Sequence, residues 1–430
     1  ITGRPLSLQG IERLISQAKG LERVELQPMR DELRERWYRQ WAAKFGQTET
    51  DNFKHFLSVC PKDVYDSLAR EPLLLYLLGR MHREQQLRAE MFAGAEGINA
   101  KIAIYDEAVR WVIAEQRQDE NFRLAGLESE DLRRVLMEAA VCVVQSGNEV
   151  AKISFLEARL AQDGNNQIYA LLQQARKTVT VSEQKLLNNL LTTFYIKPAS
   201  GDREGSVEFA HKSFGEFLFA ERLKDALEDW SQKGTRRGEL YLVPNGEMWK
   251  EIYDLLGYGG LTREVVDYLR GLLTQHSNFD PVQLFERLQD VYLRWWSGEF
   301  IDELPNNLPQ DKMQRLRDQI PERATPLGLR QVDTYVGFNV MILLFELHRY
   351  GQSKDDELKD RLTFYPCGKP ETDEFDQDRL FRIIGYGECL DVAGFNRLVA
   401  PYLFSANLNR ANLFSANLSS ANLSRANLSS

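Results

Sequence analysis

Apolar residues recur at helical spacing over most of the chain. Leu132, Val135, Leu136, Ala139, Ala140 and Val143 form one stripe at i, i+3, i+4, i+7 intervals. Leu261-Thr262 ahead of Val265-Val266 sets a hydrophobic staple and a cap before a helix carrying Tyr268, Leu269 and Leu272. Asp280-Pro281 marks another start, with proline at the first helical position and Leu284, Phe285, Leu288, Val291 and Tyr292 following. Two apolar runs, 135–144 and 336–345, are broken by Glu138 and by Asn339. They are too short for bilayer spans and predict buried helices. Polar, Pro-containing stretches at 303–310 and 369–378 separate the later helices. The second holds Glu371, Asp373, Glu374, Asp376 and Asp378 without the spacing of a calcium loop, and is expected to be a solvated linker.

One interval departs from pure helix. Helices are expected near 131–145, 153–161 and 183–191, followed by strands at 193–197 and 206–210 around a Pro/Gly-containing turn at 198–205. Three helices and a hairpin make the plan of a winged-helix domain.

From Ala406 the period changes to five. Ala-Asn-Leu begins at Ala406, Ala411, Ala416, Ala421 and Ala426, and Leu398 and Leu403 keep the register upstream. Five fits neither 3.6 nor 2, but it fits a chain that turns a corner every five residues with Ala and Leu pointing inward. The pattern resembles the pentapeptide-repeat family, and the resemblance implies a right-handed quadrilateral β-solenoid with four repeats to a coil. Stacked repeats need neighbours to bury their core. The solenoid is therefore expected to continue beyond Ser430, and the start at Ile1 likewise suggests a longer parent.

The segment Phe209-Ala210-His211-Lys212-Ser213-Phe214-Gly215-Glu216-Phe217-Leu218 carries a second pattern. Ser213 and Glu216 have capping-box spacing, so a helix should open at Ser213 with Phe214, Phe217 and Leu218 on its buried face. His211 would sit at that helix start, where free N–H groups and the helix dipole favour an anion. The string resembles the signature that ends the winged helix of NACHT-type signal-transducing ATPases with numerous domains, with Phe219 where that family usually has Ala. Ile1-Thr2-Gly3-Arg4-Pro5 resembles the sensor-arginine strand end of the same family, and Glu71-Pro72-Leu73-Leu74-Leu75 its helical-domain element. Alone, each also fits an ordinary strand end or a Pro-started core helix; their common order favours the family. The resemblance implies nucleotide-binding roles for Arg4, Pro72 and His211, with His211 contacting the β-phosphate of ADP.

The departures bound the activity. No G-x-x-x-x-G-K-[ST] occurs, and no acidic Walker B strand precedes Arg4. The chain is thus expected to have no catalytic residues and not to be an enzyme, and ATP or ADP enters only within a longer parent chain. Histidines lack zinc-hydrolase spacing, and Cys60, Cys142, Cys367 and Cys389 are scattered, so no metal site or disulfide framework is expected.

At 430 residues the chain is long enough for two to four domains. The expected fold is mainly α and multidomain. It divides into an NTPase-core end and helical domain (1–120), a winged-helix domain (121–228), a helical relay (229–395) and the repeats (396–430). A net charge of −9 and a leucine-rich 183–191 helix with only Lys185 to offer argue against DNA binding. Residues 406–430 contain Arg410 and Arg425 and no acid, which argues against a DNA mimic. The leading expectation is the regulatory and interaction portion of a cytoplasmic nucleotide switch, away from membranes. It would bind a protein partner or other ligand through its repeats, with a homo-oligomer in the active parent. The alternative is a pentapeptide-repeat scaffold with no nucleotide role.

Overall fold

The structure, a computed structural model, describes residues 28–92, 97–116, 128–147, 150–161, 169–170, 196–198, 206–209, 212–234, 240–274, 279–302, 307–320, 326–413, 416, 418 and 421–428. It is mainly helical with one small sheet. Two compact units form: the first from the described residues up to Arg222 together with Asp267–Thr274, the second from Leu223–Val266 and the described residues from 279 onward.

The first unit opens with α1 (Asp31–Phe45), α2 (Gln47–Val59) and α3 (Lys62–Asp66). Trp37 and Trp41 stack with centroids 4.8 Å apart. The short helix α4 (Pro72–Arg83) buries Leu74, Leu75, Leu77, Leu78 and Met81, the outcome expected of a Pro-started core helix. Next come α5 (Ile98–Gln116), α6 (Ser129–Ser146) and α7 (Ile153–Leu160). The predicted stripe of α6 is buried throughout, and its start is fixed where the Glu128 N–H donates to Asp131 at 2.9 Å.

Strands β2 (Ile196–Pro198) and β3 (Ser206–Phe209) pair antiparallel, Lys197 facing Glu208, as the hairpin pattern requires. Pro198 closes the first strand instead of opening the turn. A third strand, β1 (Val150–Lys152), joins the far side of β3 with Ala151 facing Val207. Three residues are too few to show alternation, so no residue pattern marks this strand. The expected helix at 183–191 lies outside the described residues. After the sheet, α8 (Lys212–Ser231) opens one residue before the expected Ser213.

The second unit is arranged on α14 (Leu329–Gln352), buried on nearly every side and packed by α9 (Asn245–Leu256), α11 (Pro281–Ser297) and α13 (Leu308–Gln319). Helix α10 (Arg263–Thr274) starts where Thr262 Oγ1 accepts from the Val265 N–H, behind buried Leu261, as predicted. Asp280 caps α11 by accepting from the Val282 and Gln283 N–H groups, and all five predicted apolar residues of that helix are buried. No described helix is long and apolar enough to cross a membrane. The short α12 (Glu299–Asp302) and α15 (Asp356–Arg361) complete the helical part before α16 (Arg379–Tyr386) and α17 (Gly394–Leu398).

The stretch at 369–378 exposes Glu371, Asp373 and Glu374 to solvent as expected, but it is a folded loop and not a loose linker. Gly368 takes φ 84, where an added Cβ would lie 2.3 Å from the Glu374 carbonyl oxygen. The Asp376 N–H returns to the Cys367 carbonyl at 2.8 Å, and Arg379 donates to the Glu374 carbonyl at 2.6 Å. The acidic side chains are solvated, while the left-handed glycine and these backbone bonds make the loop compact.

Candidate functional site

In the first unit, two helix starts converge on α5. Glu71 precedes α4 with extended backbone and Pro72 takes the first helical position, where its missing N–H costs nothing. Glu71 pairs with Lys101 of α5 at 3.4 Å. The entering chain is tied there as well: the Met29 N–H donates to the Arg70 carbonyl at 2.8 Å, and Arg70 pairs with Asp31 at 2.9 Å.

One turn beyond Lys101, Tyr105 reaches the start of α8. Its ring stands edge-on to Phe214 at 5.0 Å, lies over Phe217 at 5.7 Å and meets Tyr268 of α10 edge-on at 6.0 Å. Phe214, Phe217 and Leu218 are buried as predicted, and so is Phe219. Lys212 pairs with buried Glu216 at 3.0 Å, so this glutamate grips its own helix one turn back. Burial holds the phenols of Tyr105 and Tyr268 well above their ordinary range, and the carboxylates of Glu71 and Glu216 add to it. Both phenols therefore stay neutral.

Behind this junction α8 is locked to α6 by charge. Glu138 is fully buried and accepts from Arg159 at 2.5 Å and Arg222 at 2.8 Å, with Arg134 at 3.0 Å. Burial alone would raise its carboxyl, but the three guanidinium groups hold it down at about 2. Arg133 joins Asp106 of α5 at 2.6 Å and also Glu221 of α8.

Of the residues singled out from the sequence, Pro72 is placed at this junction, while Arg4 and His211 lie outside the described residues. Lys101 and Tyr105 carry no motif in the sequence, and Tyr268 enters there only as a packing residue of its helix. Among the described residues no group of three His, Cys, Asp or Glu side chains could hold a metal ion.

In the second unit the period of five becomes a run of turns. The N–H groups of Ala406, Ala411, Ala416, Ala421 and Ala426 each donate to the Leu carbonyl three residues earlier, at 3.0 to 3.1 Å. Ser405, Arg410 and Arg425 take positive φ at the third turn position, as a type II turn requires. After twenty residues the backbone lies beside itself: Asn407 bridges Asn427 in parallel, and the Leu408 N–H donates to the Asn427 carbonyl at 2.9 Å. Leu403, Ala406 and Leu408 are buried, whereas Leu428 is 52% exposed. The inward positions are dry only where another layer covers them.

The helical part supplies the first layer's partners. The Asn412 N–H donates to the Gln377 carbonyl at 2.8 Å, and that of Asn422 to Ala400 at 3.1 Å. From α14, Arg349 donates to the carbonyls of Tyr402 at 2.8 Å and Phe404 at 3.3 Å and lies over the Phe404 ring at 4.0 Å. Buried His348 donates from Nε2 to the Ser405 carbonyl at 3.1 Å, while its Nδ1 faces the Phe364 N–H at 3.4 Å.

Residues 405–430 match the family model described as Pentapeptide repeats (8 copies). These C-terminal repeats are pentapeptide repeats, as the period of five indicated. No curated protein and no solved structure matches the chain.

Proposed function

We propose that this chain is the regulatory and interaction portion of a NACHT-type nucleotide switch, read by a winged helix and delivered to a partner protein through a pentapeptide-repeat β-solenoid. The observation that carries the reading is the convergence of the Pro72 and Lys212 helix starts on α5, the first through the Glu71–Lys101 pair and the second through Phe214 against Tyr105. A nucleotide held by a P-loop in the parent protein would meet Pro72 from one side and the positive dipole end of α8, with His211, from the other. The small antiparallel sheet beside α6, α7 and α8 fits the wing of such a domain.

The test is limited proteolysis of the full-length protein with and without ADP. ADP should protect the backbone around 196–215, and His211→Ala should abolish that protection while leaving the fold intact. Equal cleavage of both proteins with and without ADP would end the nucleotide reading. The family match of residues 405–430 would then favour the second reading, a scaffold whose partner binding is indifferent to His211→Ala.

A further inference from the structure

In the second unit an acidic stretch of the chain is already seated against the repeats. Glu371 pairs with Arg410 at 3.2 Å, and Asp378 accepts from the Asn412 side-chain amide at 2.7 Å. The Asn412 N–H adds its backbone bond to the Gln377 carbonyl. Glu371 makes its contact from a left-handed backbone position, φ 67, which costs a side chain other than glycine some strain. One side of the Arg410 turn is thus occupied by acid.

The other side is open. From Ser405 the chain passes Ala406–Asn409 and turns at Arg410, and the next circuit repeats that path from Arg425 through Ala426–Leu428. The Ser405 N–H donates to the Ser424 carbonyl at 2.8 Å, which sets the Ser405 and Arg425 turns side by side. Ala406 and Leu408 are buried, while Asn407 and Asn409 are half-exposed and Arg425 and Asn427 exposed. The result is a strip of asparagines bordered by Arg425 where one circuit begins and by Arg410 where the other turns. Both arginines take positive φ, at a turn position that glycine or asparagine fills at lower cost. What arginine adds there is charge. Residues 406–430 hold no acid, and among the described ion pairs Arg410 takes Glu371 while none takes Arg425.

We propose that this strip docks an extended acidic segment of a partner protein, with carboxylates at Arg425 and Arg410 and the backbone along the asparagines, whose amides both donate and accept. Glu371 is then an internal competitor for the Arg410 end. A nucleic-acid strand also carries negative charge, but the contact already made at this corner is with a carboxylate. The proposal rests on the reading above in one respect only, that the repeats are the partner-binding part.

Fluorescence anisotropy of a labelled oligoglutamate peptide with the full chain, without nucleotide, tests it. A net charge of −9 repels such a probe from most of the surface, so binding reports a local site. Arg425→Gln should weaken binding about twofold to fivefold, the size of one exposed ion pair, and Arg425→Lys should retain most of it. Glu371→Gln should tighten binding by a similar factor, whereas Asp373→Asn, the same change of charge in the same loop, should alter it far less. No binding, binding indifferent to Arg425→Gln, or equal gains from Glu371→Gln and Asp373→Asn overturns the proposal. Tighter binding of a labelled oligothymidylate with the same dependence on Arg425 overturns it as well, by assigning the strip to nucleic acid. Nothing in this measurement depends on ADP, so the switch and the acidic docking strip can each fail alone.

Discussion

Glu138 and Asn339 hold matching places in the two units. Each is a polar residue, fully buried, near the middle of a helix that is apolar on nearly every side. The first unit satisfies its residue with charge, surrounding one carboxylate with Arg159, Arg222 and Arg134. The second uses neutral bonds only: Asn339 accepts from the Leu261 N–H at 2.9 Å and donates to the carbonyls of Leu256 at 2.8 Å and Gly259 at 2.7 Å. The charged solution joins three helices across long sequence separations. The neutral one closes the single turn between α9 and α10. A buried ion cluster is costly to break and nearly indifferent to its surroundings until a member titrates. A buried amide costs less to lose and does not titrate at all.

Breaking the charged member should have the largest effect. Glu138→Ala leaves buried arginines without a counter-ion and is expected to cost about 3–5 kcal/mol, unfolding the first unit while α14 keeps its protection in hydrogen exchange. Glu138→Gln retains hydrogen-bond acceptors and should cost less. The carboxyl is depressed below its unfolded value, so its contribution is complete above pH 4.5 and is lost as pH falls through about 2. Acid titration followed by exchange in α6 checks that window.

Asn339→Leu comes next. It strands one N–H and two carbonyls in the core for an expected loss of about 2–3 kcal/mol. Exchange should quicken at 256–261 first, and thermal unfolding of the purified variant gives the magnitude.

The smallest effect sharpens the contrast by placing a titrating group in the second unit. Burial pushes the His348 imidazole below its ordinary value, and both ring nitrogens are engaged in the neutral form. Its contribution is therefore full above the unfolded value of 6.5 and declines as pH falls below it. Proteolysis at 402–408 should rise between pH 7 and pH 5, a range in which the Glu138 cluster is unmoved. His348→Gln should flatten that dependence. Equal sensitivity of both regions over this range would show that the two fasteners do not act separately.

The same two residues show what the sequence could convey. Both interrupt apolar runs, and the runs correctly indicated buried helices. Their partners could not be read, because Arg222 lies 84 positions from Glu138 and Leu261 lies 78 from Asn339. Local chemistry was legible where it closes locally: the Asp280 cap, the Thr262 start, the β2–β3 hairpin and the turn at every fifth residue. Strand β1 was hidden by its length, and the 369–378 loop by an acidic composition that outweighed one left-handed glycine. At the candidate site only Pro72 could be chosen and placed, since Tyr105 gains its meaning from helices more than 100 residues further along the chain.

The carbonyls of Gln377 and Ala400 also bear on how the repeats acquire order. A stack of layers is hardest to begin, because the first layer gains no neighbour in return for the chain entropy it loses. Here that seed is built into the helical part, with Arg349 and His348 fixing its position. The circuit that brings Asn427 back beside Asn407 thus takes its register from the helical part, like a crystal layer on a prepared face.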